Sequence, residues 1–134
     1  MAAAEREVMT IRVETDVVVV RQRVRAVMVD LGFGVVDQTK MVTAASELAR
    51  NALVHGGGGE VHLESIRNGG NVGLRLTFED RGPGISDVQV AMRDGYTTAN
   101  GMGLGLGGAK RLVNDFDIVS KRGEGTRVTI ARWK

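Results

Sequence analysis

The stretch of sequence that decides the fold reads E-D-R-G-P-G-I and runs from Glu79 to Ile85. It follows residues 72–78, whose alternating apolar members predict a strand that is apolar on one face. Pro83 followed by Gly84 suits a type II turn, in which the glycine takes a positive φ. A tight turn explains the glycines and the proline, but it does not explain Asp80. A carboxylate at a strand end, beside a turn without side chains, can accept a hydrogen bond from an exocyclic amine such as that of adenine.

Two helices are predicted before this stretch, after a short first strand at residues 9–13. Thr15 and Asp16 offer N-cap oxygens to the first helix. Asp37 can cap the second helix, which stops at the glycines 56–59. The chain therefore enters the E-D-R-G-P-G-I strand from a pair of helices.

The remaining predicted elements complete a sheet. They are a strand beginning at residues 61–63, a hairpin turn at 68–71, short helices at 87–93 and 107–114, and strands at 117–121 and 126–132. This order predicts an α/β fold of the two-layer α+β sandwich type, a mixed β-sheet with helices on one face. No repeat or linker divides residues 1–134, so we expect a single domain.

Glu47 and Asn51 are four residues apart on the second predicted helix, so their side chains project from one face about one turn apart. This pair suits phosphoryl transfer, because an amide oxygen can ligate Mg²⁺ and a carboxylate can orient or deprotonate an attacking hydroxyl. The alternative is a solvated helix face on which Glu47 pairs weakly with Arg50. An isolated E-x-x-x-N pattern does not decide between the two.

Glycine occupies every second position from Gly101 to Gly107, where a predicted helix carrying Lys110 begins. Exposed amides at a helix N-terminus attract anions, and without Cβ atoms a triphosphate can approach them closely. The alternative is a mobile loop, for which such regular spacing is not required.

Three known nucleotide motifs are excluded. Gly103, Gly105 and Gly108 match the dinucleotide pattern G-x-G-x-x-G, but that motif needs a preceding strand and residues 96–100 are polar. The Walker pattern G-x-x-x-x-G-K-[ST] is absent, and so are the protein-kinase landmarks H-R-D and D-F-G. A kinase built on this sequence must be of another design.

Composition narrows the function classes further. The chain has no cysteine, which excludes disulfides and thiolate metal sites, and its two histidines, His55 and His62, lack zinc-ligand spacing. Eighteen basic and sixteen acidic side chains are interleaved, and aromatic residues are few, so we expect no nucleic-acid partner. No apolar stretch is long enough to cross a bilayer and no leader is evident, so we expect a cytoplasmic protein that does not bind a membrane.

Four short boxes together resemble those of the GHKL (Bergerat-fold) ATPases, in the order and roughly the spacing of that family. They are S-E-L-A-R-N at 46–51, E-D-R-G-P-G-I at 79–85, G-M-G-L-G-L at 101–106 and G-E-G-T at 123–126. More narrowly, E-L-A-R-N, D-G-Y-T-T-A-N-G-M-G-L-G-L and K-R-L-V-N-D-F resemble the RsbT-type switch serine/threonine kinases of bacterial stress signalling. The resemblance covers the chain from about Met9 to Trp133.

The resemblance implies ATP held between helices and sheet, under a lid at about residues 86–106. Asp80 would then bind the adenine amine, and Thr126 would support adenine beside it. Gly82 and Gly84 would shape the purine pocket.

The same resemblance assigns the phosphate end of the site. Asn51 would ligate Mg²⁺ and Glu47 would act as the catalytic base. Gly101, Gly103 and Gly105 would wrap the phosphates. Lys110 would either contact phosphate or be a solvated helix residue, and the two interpretations stand about level.

The partners implied are a STAS-domain scaffold or antagonist, phosphorylated on serine or threonine, and a PP2C-type phosphatase activated by binding. The alternative is an RsbW-like anti-sigma factor that holds a sigma factor under control of its ATP site. The valines 17–20 and the glycine turn 56–59 are candidate partner contacts. The histidine-kinase branch is not expected, because it needs an attached helical hairpin with a phosphoacceptor histidine.

Overall fold

A five-stranded antiparallel sheet is the framework of the computed structural model, which describes residues 6–85, Met92 and residues 105–134. The strands are β1 Arg6–Ile11, β2 Gly59–Asn68, β3 Asn71–Asp80, β4 Asp115–Lys121 and β5 Gly125–Trp133. The helices are α1 Glu14–Asp30, α2 Val35–Val54 and α3 Gly105–Arg111. The strand order is β1-β2-β3-β5-β4.

Every strand pairing in the described part of the chain is antiparallel, so the expectation of a mixed sheet was wrong. The reason lies in the α1–α2 connection between β1 and β2. One crossover helix would return the chain to the start of β1 and give a parallel pair. Two consecutive helices instead bring it back to the end of β1, where β2 begins opposite Ile11.

The helices pack on one face of the sheet, as expected for a two-layer sandwich. Both long helices contribute an apolar stripe at helical spacing, and the strands contribute alternate residues. The helical part of the core includes Val17, Val20, Val24, Met28, Met41, Ala45 and Leu48. The strand part includes Val61, Leu63, Leu74, Leu76, Phe78, Val128 and Ile130.

Both predicted helix caps differ from the structure. The first helix starts at Glu14, so Thr15 and Asp16 lie inside its first turn. The Asp16 carboxylate still serves that end, because it accepts hydrogen bonds from the amides of Arg12 at 2.8 Å and Val13 at 3.1 Å, and these bonds lower its pKa. The second helix starts at Val35, and Asp37 pairs with Arg132.

The hairpin turn between β2 and β3 lies where the sequence predicts it, whereas the helix after it in the chain starts and ends earlier than predicted. Asn68 pairs with Asn71 across the predicted two-residue hairpin. The third helix begins at Gly105 and ends at Arg111, earlier than the predicted 107–114. The predicted helix at 87–93 lies outside the described residues except for Met92.

The run of valines 17–20 is divided between core and surface. Val17 and Val20 are buried against the sheet, whereas Val18 and Val19 are about half exposed. A contact with a partner at this run is therefore open to Val18 and Val19 alone. In the described part of the chain, no helix has the length and apolar character needed to cross a membrane.

Candidate active site

The candidate site lies at the end of the sandwich where β3 finishes and β5 begins. A row of directly paired residues crosses the sheet there, with Gly59 opposite Asp80, Asp80 opposite Thr126, and Thr126 opposite Ser120. Asp80 and Thr126 have the same strand parity as the buried residues Phe78 and Val128. Their side chains are therefore on the face that the helices cover.

Asp80 is half-buried at this edge and is held by the turn that follows it. The amide of Gly82 donates to Asp80 Oδ1 at 2.9 Å. Burial raises the pKa of the Asp80 carboxyl above its ordinary value, while the amides of Gly82 and Thr126 and the charge of His55 act in the opposite direction. The carboxylate is thus a partly desolvated acceptor with a fixed orientation.

Glycines bring three backbone segments unusually close around Asp80. A Cβ on Gly56 would clash with the Asp80 side chain and lie 2.7 Å from the carbonyl oxygen of Ala52. A Cβ on Gly82 would lie 2.6 Å from Gly56 Cα, and one on Gly125 would clash with the Asp80 carbonyl oxygen. Three segments meet here: the turn after α2, the turn after β3 and the start of β5. They can approach so closely only because the residue at each contact is a glycine.

Asn51 reaches the same end of the molecule through the last turn of α2. Its carbonyl oxygen accepts hydrogen bonds from the amides of His55 at 2.9 Å and Gly56 at 3.3 Å. Gly56 in turn packs on Asp80. Glu47 lies one helical turn before Asn51, and both side chains are half-buried. The end of α2 that carries Asn51 therefore lies beside the strand-end Asp80 at one rim of the sandwich, and Glu47 lies one turn further back on that helix.

The turn after β3 is seated on the β4–β5 hairpin. Gly84 has φ +77°, the positive value that the proposed type II turn requires. The amide of Gly123 donates to the Pro83 carbonyl at 2.6 Å, and the amide of Ile85 donates to Ser120 Oγ at 2.8 Å. Ser120 Oγ also lies 2.7 Å from Thr126 Oγ1.

The glycine-rich segment is described only at its end. Gly101 and Gly103 lie outside the described residues. Gly105 is buried, has φ +69° and begins α3, which packs beside α2. Lys110 is exposed near the far end of that helix.

Comparison with known proteins identifies the family and the fold. Residues 36–134 match the family model described as histidine kinase-, DNA gyrase B- and HSP90-like ATPases, and these residues include every one of the predicted site positions. The chain belongs to this ATPase family.

Relatives within the family narrow the assignment. The serine/threonine-protein kinase RsbT of Bacillus subtilis is 45% identical over 92% of this chain and 92% of its own length. An anti-sigma F factor of Anoxybacillus flavithermus is 32% identical over 70% of this chain and 68% of its own. The protein is accordingly a serine/threonine-protein kinase that uses ATP, and the anti-sigma factors are more distant relatives.

Solved structures share the fold. A Mycobacterium tuberculosis structure with RsbU and RsbW domains superposes with a TM-score of 0.65 at 24% identity, over 96% of this chain and 31% of that one. The mycobacterial sensor histidine kinase MprB superposes with a TM-score of 0.56 at 18% identity, over 96% and 97% of the two chains.

Sequence reasoning missed three residues of this rim. From sequence, Gly56 is interpreted only as the end of a helix and a candidate partner contact, and His55 only as a histidine without zinc-ligand spacing. Ser120 carried no signal at all, because an isolated serine in a strand is unremarkable until its partners across the sheet are known. The glycines after the E-L-A-R-N helix could have pointed to Gly56.

The opposite face of the sheet carries a separate cluster of Glu60, His62 and Glu79. Their ligand atoms all lie within 4.8 Å of one another, a spacing that could hold a metal ion. His62 Nε2 is 3.0 Å from Glu60 Oε1, and Arg6 lies 3.2 Å from His62 Nδ1. These hydrogen bonds already occupy both imidazole nitrogens.

A groove of about 330 Å³ lies at the other end of the sandwich, away from the ATPase motifs. Its lining combines apolar residues of α1 and β2, such as Val27 and Leu63, with the Arg23–Glu7 ion pair. The described ATPase motifs lie around Asp80 rather than at this groove, so the rim around Asp80 is the candidate active site.

Proposed function

We propose that this kinase transfers the γ-phosphoryl group of ATP to a serine or threonine of a STAS-domain protein in a bacterial partner-switching pathway. The observation that carries the proposal is the shared rim. Asp80 lies at the end of β3, Thr126 lies opposite it near the start of β5, and Gly56 of the turn after Asn51 packs on Asp80. This arrangement supports adjacent adenine and phosphate subsites. The relationship to the RsbT kinase supports the choice of substrate class.

The adenine end of the site is assigned to Asp80 and Thr126. The Asp80 carboxylate accepts a hydrogen bond from the exocyclic amine of adenine, and Thr126 supports the base from the paired position on β5. Gly82 and Gly84 let the purine lie close to backbone, because no side chain projects from the turn at these positions.

The phosphate end is assigned to α2 and the segment that leads into α3. Asn51 would hold Mg²⁺ through its amide oxygen, a hard donor of the kind that this ion accepts, and the ion would neutralise phosphate charge. We assign Gly101, Gly103 and Gly105 to the phosphates through their backbone amides. Lys110, which is exposed, is a further candidate phosphate contact.

Glu47 is assigned as the catalytic base. The side chain is half-buried one turn from Asn51, so a hydroxyl bound between the two would face the phosphate end of the nucleotide. Glu47 orients that hydroxyl and accepts its proton as the oxygen attacks the γ-phosphorus.

A second output by binding is consistent with the same partner-switching scheme. After it leaves the STAS-domain protein, the kinase would activate a PP2C-type phosphatase by contact alone. The exposed valines Val18 and Val19 are candidates for such a surface.

An anti-sigma function is the second candidate, because anti-sigma F factors are about 30% identical to this chain over two thirds of its length. In that case ATP would control the capture of a sigma factor. Co-purification with a sigma factor, at an affinity that ATP changes, would favour this alternative. Capture of a STAS-domain protein and its phosphorylation would favour the kinase pathway.

The decisive variant for catalysis is Glu47→Gln, which removes the base and preserves the shape of the side chain. We expect phosphorylation of a purified STAS-domain protein by ATP and Mg²⁺ to slow by about a hundredfold or more. ATP affinity should stay within about threefold of wild type, because the assigned role begins after nucleotide binding. Phosphopeptide mass spectrometry and titration calorimetry measure the two quantities.

A matched control is Glu64→Gln, on the open face of the sheet and paired with Arg75. It should transfer phosphate at the wild-type rate. Undiminished transfer by Glu47→Gln would exclude Glu47 as the base, and failure of the wild-type protein to bind ATP would exclude the proposed function as a whole.

A further inference from the structure

Ser120 lies on β4, two strands away from Asp80 in the order of the sheet, and its hydroxyl has three hydrogen-bond partners. Its Oγ accepts a hydrogen bond from the Ile85 amide at 2.8 Å, donates to the Gly125 carbonyl at 3.1 Å and lies 2.7 Å from Thr126 Oγ1. It is half-buried, and it is paired with Thr126 in the sheet. No described contact joins Ser120 to Asp80, so any effect on Asp80's ligand must pass through Thr126 or the turn.

The direction of each hydrogen bond follows from counting protons. An amide N–H can only donate and a carbonyl can only accept. The single hydroxyl proton of Ser120 is therefore donated to the Gly125 carbonyl, and a lone pair of Ser120 Oγ accepts the hydrogen bond from the Ile85 amide. The short contact with Thr126 then requires Thr126 to be the donor. The Thr126 hydroxyl is left with lone pairs only for any other partner.

We propose that Ser120 is a positioning residue for base selection: by accepting the hydrogen bond of the Thr126 hydroxyl, it leaves Thr126 as an acceptor beside Asp80 and favours a 6-amino purine over a 6-oxo purine. This inference rests on the proposed function, because it needs the base to lie at Asp80 and Thr126. A carboxylate and an acceptor-only hydroxyl match the amine of adenine. They repel the 6-oxo group of hypoxanthine or guanine, which would leave buried acceptors unpaired.

Ser120 also connects base selection to the turn. The Ile85 amide that it accepts lies at the end of the turn containing Gly82 and Gly84, which also rests on Gly123. The same hydroxyl therefore fixes the polarity of Thr126 and the seat of the turn over the purine. The two roles are separable. Loss of the hydrogen bond to the turn lowers the affinity for every purine nucleotide, whereas loss of the hydrogen bond from Thr126 changes the preference between purines.

The test compares ATP with inosine triphosphate, whose base carries a 6-oxo group and a proton on N1 in place of the 6-amino group, on the full chain by titration calorimetry. For Ser120→Ala we expect ATP to bind about three- to tenfold more weakly, the equivalent of one hydrogen bond. Inosine triphosphate should be weakened less than ATP, because the lost support of the turn affects both nucleotides whereas the released Thr126 proton can turn toward the 6-oxo group. The preference for ATP over inosine triphosphate should therefore fall.

Ser120→Thr is the conservative variant, and it should keep the wild-type preference because it retains the hydroxyl. Thr126→Val removes the acceptor hydroxyl without changing Ser120. It should lower the affinity for ATP by about three- to tenfold and leave the affinity for inosine triphosphate within about twofold of wild type. In the Thr126→Val background, Ser120→Ala should no longer alter the preference.

Equal weakening of both nucleotides by Ser120→Ala or by Thr126→Val would overturn the inference, because it would reduce the residue to a structural support. Wild-type protein that binds ATP and inosine triphosphate equally well would also overturn it and leave the kinase assignment standing. Wild-type protein that binds neither nucleotide would overturn the proposed function and the inference together.

Discussion

At the scale of single residues, Asp80 shows how a binding group reduces the stability of the empty site. Burial raises the pKa of its carboxyl above the ordinary value of 3.8. A raised carboxyl pKa contributes stability below the unfolded pKa, and that contribution is lost as pH rises through the folded pKa. Ionised Asp80 therefore costs stability at neutral pH when no ligand is present.

We expect Asp80→Asn to raise the Tm of the ligand-free protein at neutral pH by a few degrees and to abolish ATP binding. The gain in Tm should shrink as the pH is lowered through the raised pKa of the folded Asp80 carboxyl, because the wild-type side chain then becomes protonated as well. Thermal unfolding across this pH range measures the effect. Asp117→Asn, at an exposed position of β4, is the control and should leave Tm unchanged.

A lower Tm for Asp80→Asn at neutral pH would contradict this account of Asp80. Asp80 was predicted from its place at a strand end and Thr126 from the motif boxes, and the antiparallel ladder pairs the two residues directly. Their assigned roles stay predictions. Ser120 was out of reach, because its role depends on which residues the register of β4 and β5 brings opposite each other.

At the scale of secondary-structure elements, the turn between α2 and β2 depends on Gly56. A Cβ at this position would collide with the Asp80 side chain and the Ala52 carbonyl, so Gly56→Ala must move the turn or the strand end. We expect a loss of about 1–3 kcal/mol in the free energy of unfolding, as for other overpacked sites. ATP affinity should fall as well, because the atoms displaced include Asp80.

Gly70→Ala is the matched control for Gly56→Ala. Gly70 lies in the β2–β3 hairpin, and no atom lies within 4 Å of the position its Cβ would take. Urea unfolding should show little change in the free energy of unfolding for this variant. A Gly56→Ala protein as stable as Gly70→Ala would mean that the α2–β2 turn has more freedom than its packing indicates.

The order of elements was predictable, because periodicity and glycine-rich turns are local signals. The helix starts were less so, since Gly34 and Val13 rather than side-chain caps precede α2 and α1. Asp37 illustrates the cause: its carboxylate is used by Arg132, 95 positions away in sequence. The strand directions also depend on how two helices pack together, which no local pattern records.

At the scale of the whole molecule, the two ends of the sandwich have different tasks. The proposed nucleotide site occupies the end with Asp80, and Arg132 joins the elements at the other end. Its guanidinium donates to Asp37 Oδ1 at 2.6 and 3.1 Å and to the Leu112 carbonyl at 2.8 Å. This arginine joins β5 to α2 and to the residue after α3.

The assignment of residues 1–134 to a single domain stays a prediction.

We expect Arg132→Ala to lower the free energy of unfolding by about 1–3 kcal/mol, because it removes charge-assisted hydrogen bonds and leaves Asp37 without this partner. ATP affinity should stay within about twofold of wild type. Thr126 and Arg132 are six residues apart along β5, which places the arginine about 20 Å from the rim. Urea unfolding and ATP titration on the same preparation measure both quantities.

The contrast with Gly56→Ala makes this prediction specific. Gly56→Ala and Arg132→Ala should both destabilise the fold, yet only Gly56→Ala, the change beside Asp80, should lower the affinity for ATP. Because the sheet is continuous from Thr126 to Arg132, a fall in ATP affinity for Arg132→Ala as large as that for Gly56→Ala would mean that strain travels along β5. The stability of the fold and the geometry of the site would then be coupled, and the rim could not be treated as an independent unit.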